Sequence, residues 1–239
     1  MLSGLPVIYG IKPYEESSAP EHQLGTIGCT EDGRKFRYCK VGGPALVAGD
    51  VIQSPAEDTY EESLAPTAAA IGATQVTVTT GAAVTAGLFE GGYMVVTNTP
   101  GNGTYYKIKR HDVTSGAASC VITLYQPLIV ALTSSSRVDL IKDPYNGVIQ
   151  NPSTSSGCIV GVAVKALTAN YYGWIQTGGV CSVLAGGTVG VGKIVVANLG
   201  TAASAIVGAN TATETMPLLG RAVASGTNGE NCAVYLQLD

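Results

Sequence analysis

The stretch Gly157–Asn198, GCIVGVAVKALTANYYGWIQTGGVCSVLAGGTVGVGKIVVAN, decides the fold. Ile159, Gly161 and Ala163 alternate with Val160, Val162 and Val164. After a polar break at Thr168–Asn170 comes Tyr171–Thr177, aromatic and β-branched, which Gly178-Gly179 is expected to end. Val180–Leu184 and Gly192–Ala197 repeat the pattern around a glycine-rich corner. Short β-rich runs punctuated by glycine predict consecutive antiparallel strands of a barrel or sandwich. Nothing in the stretch gathers the residues of an active site.

The flanks extend the same reading. On the C-terminal side, Ala205–Val207 and Met216–Ala222 read as strands. Cys232–Asp239 places Cys232, Val234, Leu236 and Leu238 on one face and Ala233, Tyr235, Gln237 and Asp239 on the other, the signature of a half-buried strand. On the N-terminal side, Asp32-Gly33 between Thr26–Cys29 and Lys35–Tyr38 is a hairpin signal, because glycine accepts positive φ. Gly91–Thr97 and Thr104–Lys109 flank Pro100-Gly101-Asn102-Gly103 as a second hairpin, with Gln75–Thr80, Ser119–Tyr125 and Val138–Ile141 as further strands. Ser54, Pro55 and Glu57 have the spacing of a capping box and predict one short helix over Pro55–Leu64. Two corners echo one another, Leu46-Val47-Ala48-Gly49-Asp50-Val51-Ile52 and Gly190-Val191-Gly192-Lys193-Ile194-Val195-Val196.

Residues 1–25 hold Pro6, Pro13 and Pro20 and sustain no period, so they predict an extended arm. Leu5, Val7, Ile8, Tyr9 and Ile11 are too apolar for a freely solvated tail and are expected to contact a neighbouring subunit or a capsid. The expected division is therefore an arm (1–25), a base barrel (26–54 with 157–239) and an inserted β-rich lobe (55–156). The fold class is all-β: a glycine-rich antiparallel barrel or sandwich carrying a second β-lobe.

Only 13% of the 239 residues are charged, about half the usual share of roughly a quarter. Either a partner covers part of the surface, or serine and threonine solubilise the strands instead. The net charge of −4 and the lack of a basic cluster beyond Lys107–His111 argue against nucleic acid as a partner. No apolar run reaches the roughly 18 residues of a membrane helix, and Met1–Lys12 lacks the layout of a signal peptide, so no membrane is expected and synthesis in a host cytoplasm is. The six cysteines stand singly in strand-like runs, as buried free thiols do.

Catalytic chemistry is sought and not found. The two histidines, His22 and His111, have no metal-ligand spacing around them, and no metal or other cofactor is expected. His111-Asp112 lacks a serine in a nucleophile elbow. Gly187–Lys193 begins like a phosphate loop, but Ile194 follows where Ser or Thr is needed, and a strand follows where a helix is needed. Glu57, Asp58, Glu61 and Glu62 read as a solvated helix face. Tyr171, Tyr172 and Trp174 read either as a surface aromatic cluster able to hold a sugar or as core and subunit contact.

Two groups of segments together resemble a family of tailed-bacteriophage head decoration (cement) proteins. One is Ala45–Ile52; the other comprises Gly161-Val162-Ala163, Gly178-Gly179-Val180, Gly192-Lys193-Ile194-Val195, Leu219-Gly220-Arg221-Ala222 and Ala233–Leu238. The arm and Asp32–Tyr38 are also similar to longer virion proteins encoded among head genes. In short members the pieces follow closely and build one small β-barrel, whereas here about a hundred residues intervene. The resemblance implies a non-enzymatic virion protein on the capsid exterior that bridges major capsid protein subunits, commonly as a homotrimer. It brings no catalytic residues. The rival expectation is a receptor- or glycan-binding virion surface protein using Tyr171, Tyr172 and Trp174.

Overall fold

The structure is a computed structural model and describes residues 7–154, 156–208 and 217–239. The chain is almost entirely β, and its described residues divide into two units, Glu57–Asp143 and a base made of residues 7–56 and those from Pro144 onward.

The base contains β1 (Val7–Tyr9), β2 (Glu16–Ser17), β3 (Ile27–Cys29), β4 (Lys35–Val41), β5 (Val51–Gln53), β11 (Asn146–Gln150), β12 (Ile159–Ala163), β13 (Tyr172–Leu184), β14 (Ile194–Ala197), β15 (Ala205–Val207), β16 (Leu218–Ala222) and β17 (Asn231–Gln237). Five of these close on themselves: β4 pairs with β11, β11 with β5, β5 with β12, β12 with β13, and β13 with β4. Closure leaves none of the five with a free edge along the ring. Cys39, Val41, Leu46, Ile52, Val148, Val160, Ala163, Leu167 and Ile175 fill its interior.

At 13 residues, β13 is too long for this barrel alone. Its first half pairs with β4, and from Gly178 to Leu184 it pairs with β17, which continues through β16 and β14 to β15. A parallel bridge between Ala185 and Ala205 brings β15 back to the end of β13. Val183, Val195, Leu219, Val234 and Leu236 lie at the centre of this second core. The sequence reading ended the strand at Gly178-Gly179; the strand instead runs through them and changes partner there. The register shifts between Gln176 and Gly178, and Gly179 has φ +83°. The missing side chains serve a bulge and a close approach to Lys35, not a turn.

The inserted unit holds β6 (Gln75–Thr79), β7 (Tyr93–Asn98), β8 (Tyr105–His111), β9 (Ser119–Leu124) and β10 (Arg137–Ile141), ordered β10-β7-β8-β9-β6. Leu64 bridges to Val138 on one edge and Pro66 to Val78 on the other, so one short segment meets both open sides. Phe89, Met94, Ile108, Ile122, Leu128 and Leu132 are fully buried inside. The expected helix over Pro55–Leu64 is a single 3-10 turn, Thr59–Glu61, without a side-chain cap. Ser54 is engaged elsewhere: its N–H donates to Cys158 O, and its hydroxyl accepts from Cys158 N–H. Pairing with a distant strand has displaced the local cap. The seam also differs from the one expected at Ser156, because β11 pairs with β4 and β5 and belongs to the base.

The corner seen twice in the sequence recurs in all three cores. After Leu46, the Asp50 N–H closes a turn onto Val47 O with Gly49 at φ +91°. Matching turns follow Leu167, Val189, Gly226 and Ala69, with Asn170, Gly192, Gly229 and Gly72 at positive φ. The corners work in pairs: Leu46 bridges Leu167, Val189 bridges Gly226, and Ala69 bridges Leu132. Each pair exchanges two backbone hydrogen bonds of 2.9–3.1 Å.

Candidate functional site

Ile8 and Ile11 of the arm meet Tyr172 and Trp174 on the base, around a cleft of about 260 Å³. Its wall is built by alternation. Phe36 and Tyr38 project from the same side of β4, and Tyr38 is opposite Trp174 in the pairing of β4 with β13. The Tyr38 and Trp174 rings lie 5.1 Å apart at 65°, and His22 packs on both at 5.1 and 5.4 Å. Tyr172 stacks on Tyr38 at 6.2 Å, with Lys40 Nζ 5.8 Å from its ring centre.

The arm closes over this wall. β1 lies parallel to β3, and β2 pairs with β13 at Tyr172–Gly173. Ile11 and Leu24 pack on Phe36, Tyr38 and Trp174. Gly28 faces this contact: a Cβ there would lie 2.6 Å from the Trp174 ring and 2.8 Å from Ile11. Glu16 accepts from the Thr168 N–H at 2.9 Å and its hydroxyl at 3.0 Å, with Lys165 at 3.9 Å. The Thr168 backbone hydrogen bond holds the Glu16 carboxyl below the usual carboxylate range. The Glu21 N–H donates to Tyr38 Oη, while burial raises the Tyr38 phenol. At the arm's end, Arg37 donates to Gly25 O and grips Asp239 with two bonds of 2.7 and 2.9 Å.

These placements revise the sequence reading. Trp174 is 5% exposed and Tyr38 2%, so these rings form a wall and not a surface cluster; Tyr172 is half-buried and Tyr171 exposed. Of the proposed contact residues, Leu5 lies outside the described residues. Ile8 lines the cleft and Ile11 packs on the chain's own rings, both half-buried. Only Val7 and Tyr9, on the outer strand, remain exposed. Sequence reasoning missed His22, Glu16 and Thr168, which are brought together across about 150 residues; no local pattern marks them.

The other candidates resolve structurally. His111 Nε2 accepts from the Phe89 N–H and Nδ1 faces the Asp112 backbone oxygen, so the ring serves the backbone and not a triad. Gly187–Lys193 is a corner leading into β14. Glu61 is buried while Glu57 and Glu62 are exposed, so these acids do not share one solvated face. All six cysteines are free; Cys158 is exposed, and burial pushes the Cys39 and Cys181 thiols up to about 12. Among the described residues no three His, Cys, Asp or Glu side chains gather as a metal site. No family model matches this chain, and no match to it is found among curated proteins or solved structures.

Proposed function

We propose that the chain is a non-enzymatic structural protein of a phage virion, which attaches to the outside of the head and stabilises it by bridging major capsid protein subunits. The observation that carries this reading is where the resembling segments lie. Val51, Val162, Val195, Leu219, Ala222, Val234 and Leu236 of these segments share one core of the base, and Leu46, Ile52 and Ala163 lie in its closed barrel. The intervening Glu57–Asp143 has a separate core of its own. That all these segments fall in the base, and none in the insertion between β5 and β11, supports the reading. At about 25 cal/mol per Å² of apolar area buried, a modest contact repeated over a shell resists outward pressure from packaged DNA.

The test is cosedimentation of the purified chain with empty shells of the phage's major capsid protein, with the mass of the free chain measured by light scattering. Saturable binding and a trimeric mass are expected. Val7→Ala combined with Tyr9→Ala should lower occupancy without moving the melting temperature, since both side chains are exposed. Truncating residues 1–20 is a poorer probe, because it also removes Ile11 and Glu16 from the chain's own body. Absence of binding by the wild type refutes the proposal.

A further inference from the structure

The sheet formed by β13, β17, β16 and β14 has two unlike faces. One covers the core of Val183, Val195, Leu219, Val234 and Leu236. The other carries a continuous row fixed by register: Val180 opposite Tyr235, Tyr235 opposite Arg221, and Arg221 opposite Ile194. Val180, Tyr235 and Ile194 are 45–50% exposed, and Leu218 and Val223 on the same strand and its end are each 50% exposed. Strands spaced about 4.8 Å apart make this one patch and not scattered side chains. Arg221 is the only charged residue in the four strands, and Lys193 stands just before β14. The row itself is therefore apolar with one cation, and Asp239, which lines a cleft with Tyr235, is already held by Arg37.

We propose that this face is a docking surface for a protein whose contact patch is apolar and bears carboxylates. Charge argues against this face pairing with itself about a two-fold axis, which would set Arg221 near its own counterpart, two cations desolvated without a partner. Size points the same way. A patch roughly 14 Å across four strands and roughly 17 Å along β16 covers about 240 Å², well short of the ~800 Å² per partner that a stable one-to-one complex buries. Such a contact suits a surface that offers the same site many times, where several weak contacts act together. That the partner is the outer surface of the shell rests on the function proposed above.

The experiment compares the full-length wild type with Tyr235→Glu, Ile194→Glu and Arg221→Glu for binding to empty shells, with each melting temperature recorded. The expected result is a loss of affinity of about tenfold or more per variant at unchanged melting temperature, and wild-type binding that weakens as salt rises. If a glutamate variant unfolds, Val180→Ser gives the same readout, since Ser182 already occupies this face. Wild-type binding with unaffected variants overturns the docking surface and leaves the function standing. No wild-type binding overturns both. An oligomeric free chain that Tyr235→Glu converts to monomer shows that a second copy occupies the face, which also overturns the proposal.

Discussion

Glu61 is 1% exposed, and one of its carboxylate oxygens, Oε1, accepts from the Ala82 N–H at 3.0 Å. Its other oxygen, Oε2, is buried without a hydrogen-bond partner. Burial, the largest influence, raises this carboxyl above its ordinary value, and the Asp58 charge adds to it. A raised carboxyl favours the folded state most below the unfolded value of about 4.3; that contribution is lost as pH rises through the folded value. Glu61→Gln removes the titration while keeping an acceptor for Ala82. Thermal melts of both proteins at pH 7 and pH 4.5 should show the variant losing ground to the wild type on acidification. An equal difference at both pH values means Glu61 titrates alike in both states. Glu16 has the opposite sign: its lowered carboxyl contributes above the ordinary range and is lost on strong acidification. Neither residue's role was legible beforehand, since Glu61 stands among Asp58 and Glu62 in a run that reads as solvated.

At the scale of elements, the paired corner is the unit repeated most. After Leu46, Leu167, Val189, Gly226 and Ala69 the third residue has positive φ, and Gly192 does so with open space where a Cβ would stand. Gly192→Ala therefore costs backbone strain alone, about 1–2 kcal/mol. Gly192→Asn should cost clearly less, because asparagine tolerates this region and Asn170 already occupies it in the partner corner of Leu46. Urea unfolding of the two variants checks the order; equal costs would mean the turn geometry is not limiting. The two corners most alike in sequence, at Leu46 and Gly190, were legible because both spell Gly, a polar residue and a β-branched run. The corner at Leu167 was read only as a polar break, since Asn170 performs the glycine's part.

At the scale of the molecule, β5 leaves and β11 returns as paired antiparallel strands, with Ile149 opposite Gln53. The inserted unit thus stands where a hairpin turn would otherwise be, and no residue of Glu57–Asp143 belongs to the cores of the base. Replacing Glu57–Asp143 by a short Gly-Ser linker should leave a base that melts cooperatively within a few degrees of its original transition, as loop length itself costs little. Circular dichroism and a calorimetric scan check this. Loss of the cooperative transition would show that the base depends on the insertion.

Most strands of the two units, and the core-facing side of several, are legible in the sequence, while β1, β2, β11 and the full length of β13 are not. Cys232–Leu236 and Lys35–Tyr38 alternate in burial as their residues alternate in polarity, and Asp32-Gly33 turns with Gly33 at φ +82°. These features are written within a few residues, in a two-residue period and in the backbone freedom of glycine. Strand partners emerge only in the folded chain: the folding of the arm onto β3 and β13, the place of β11 in the base, and the passage of β13 from one partner to another. The reason is that the ladder joins backbone to backbone. A strand edge offers the same N–H and C=O groups whatever its side chains, so its partner is chosen by packing across distances in sequence that no local pattern records.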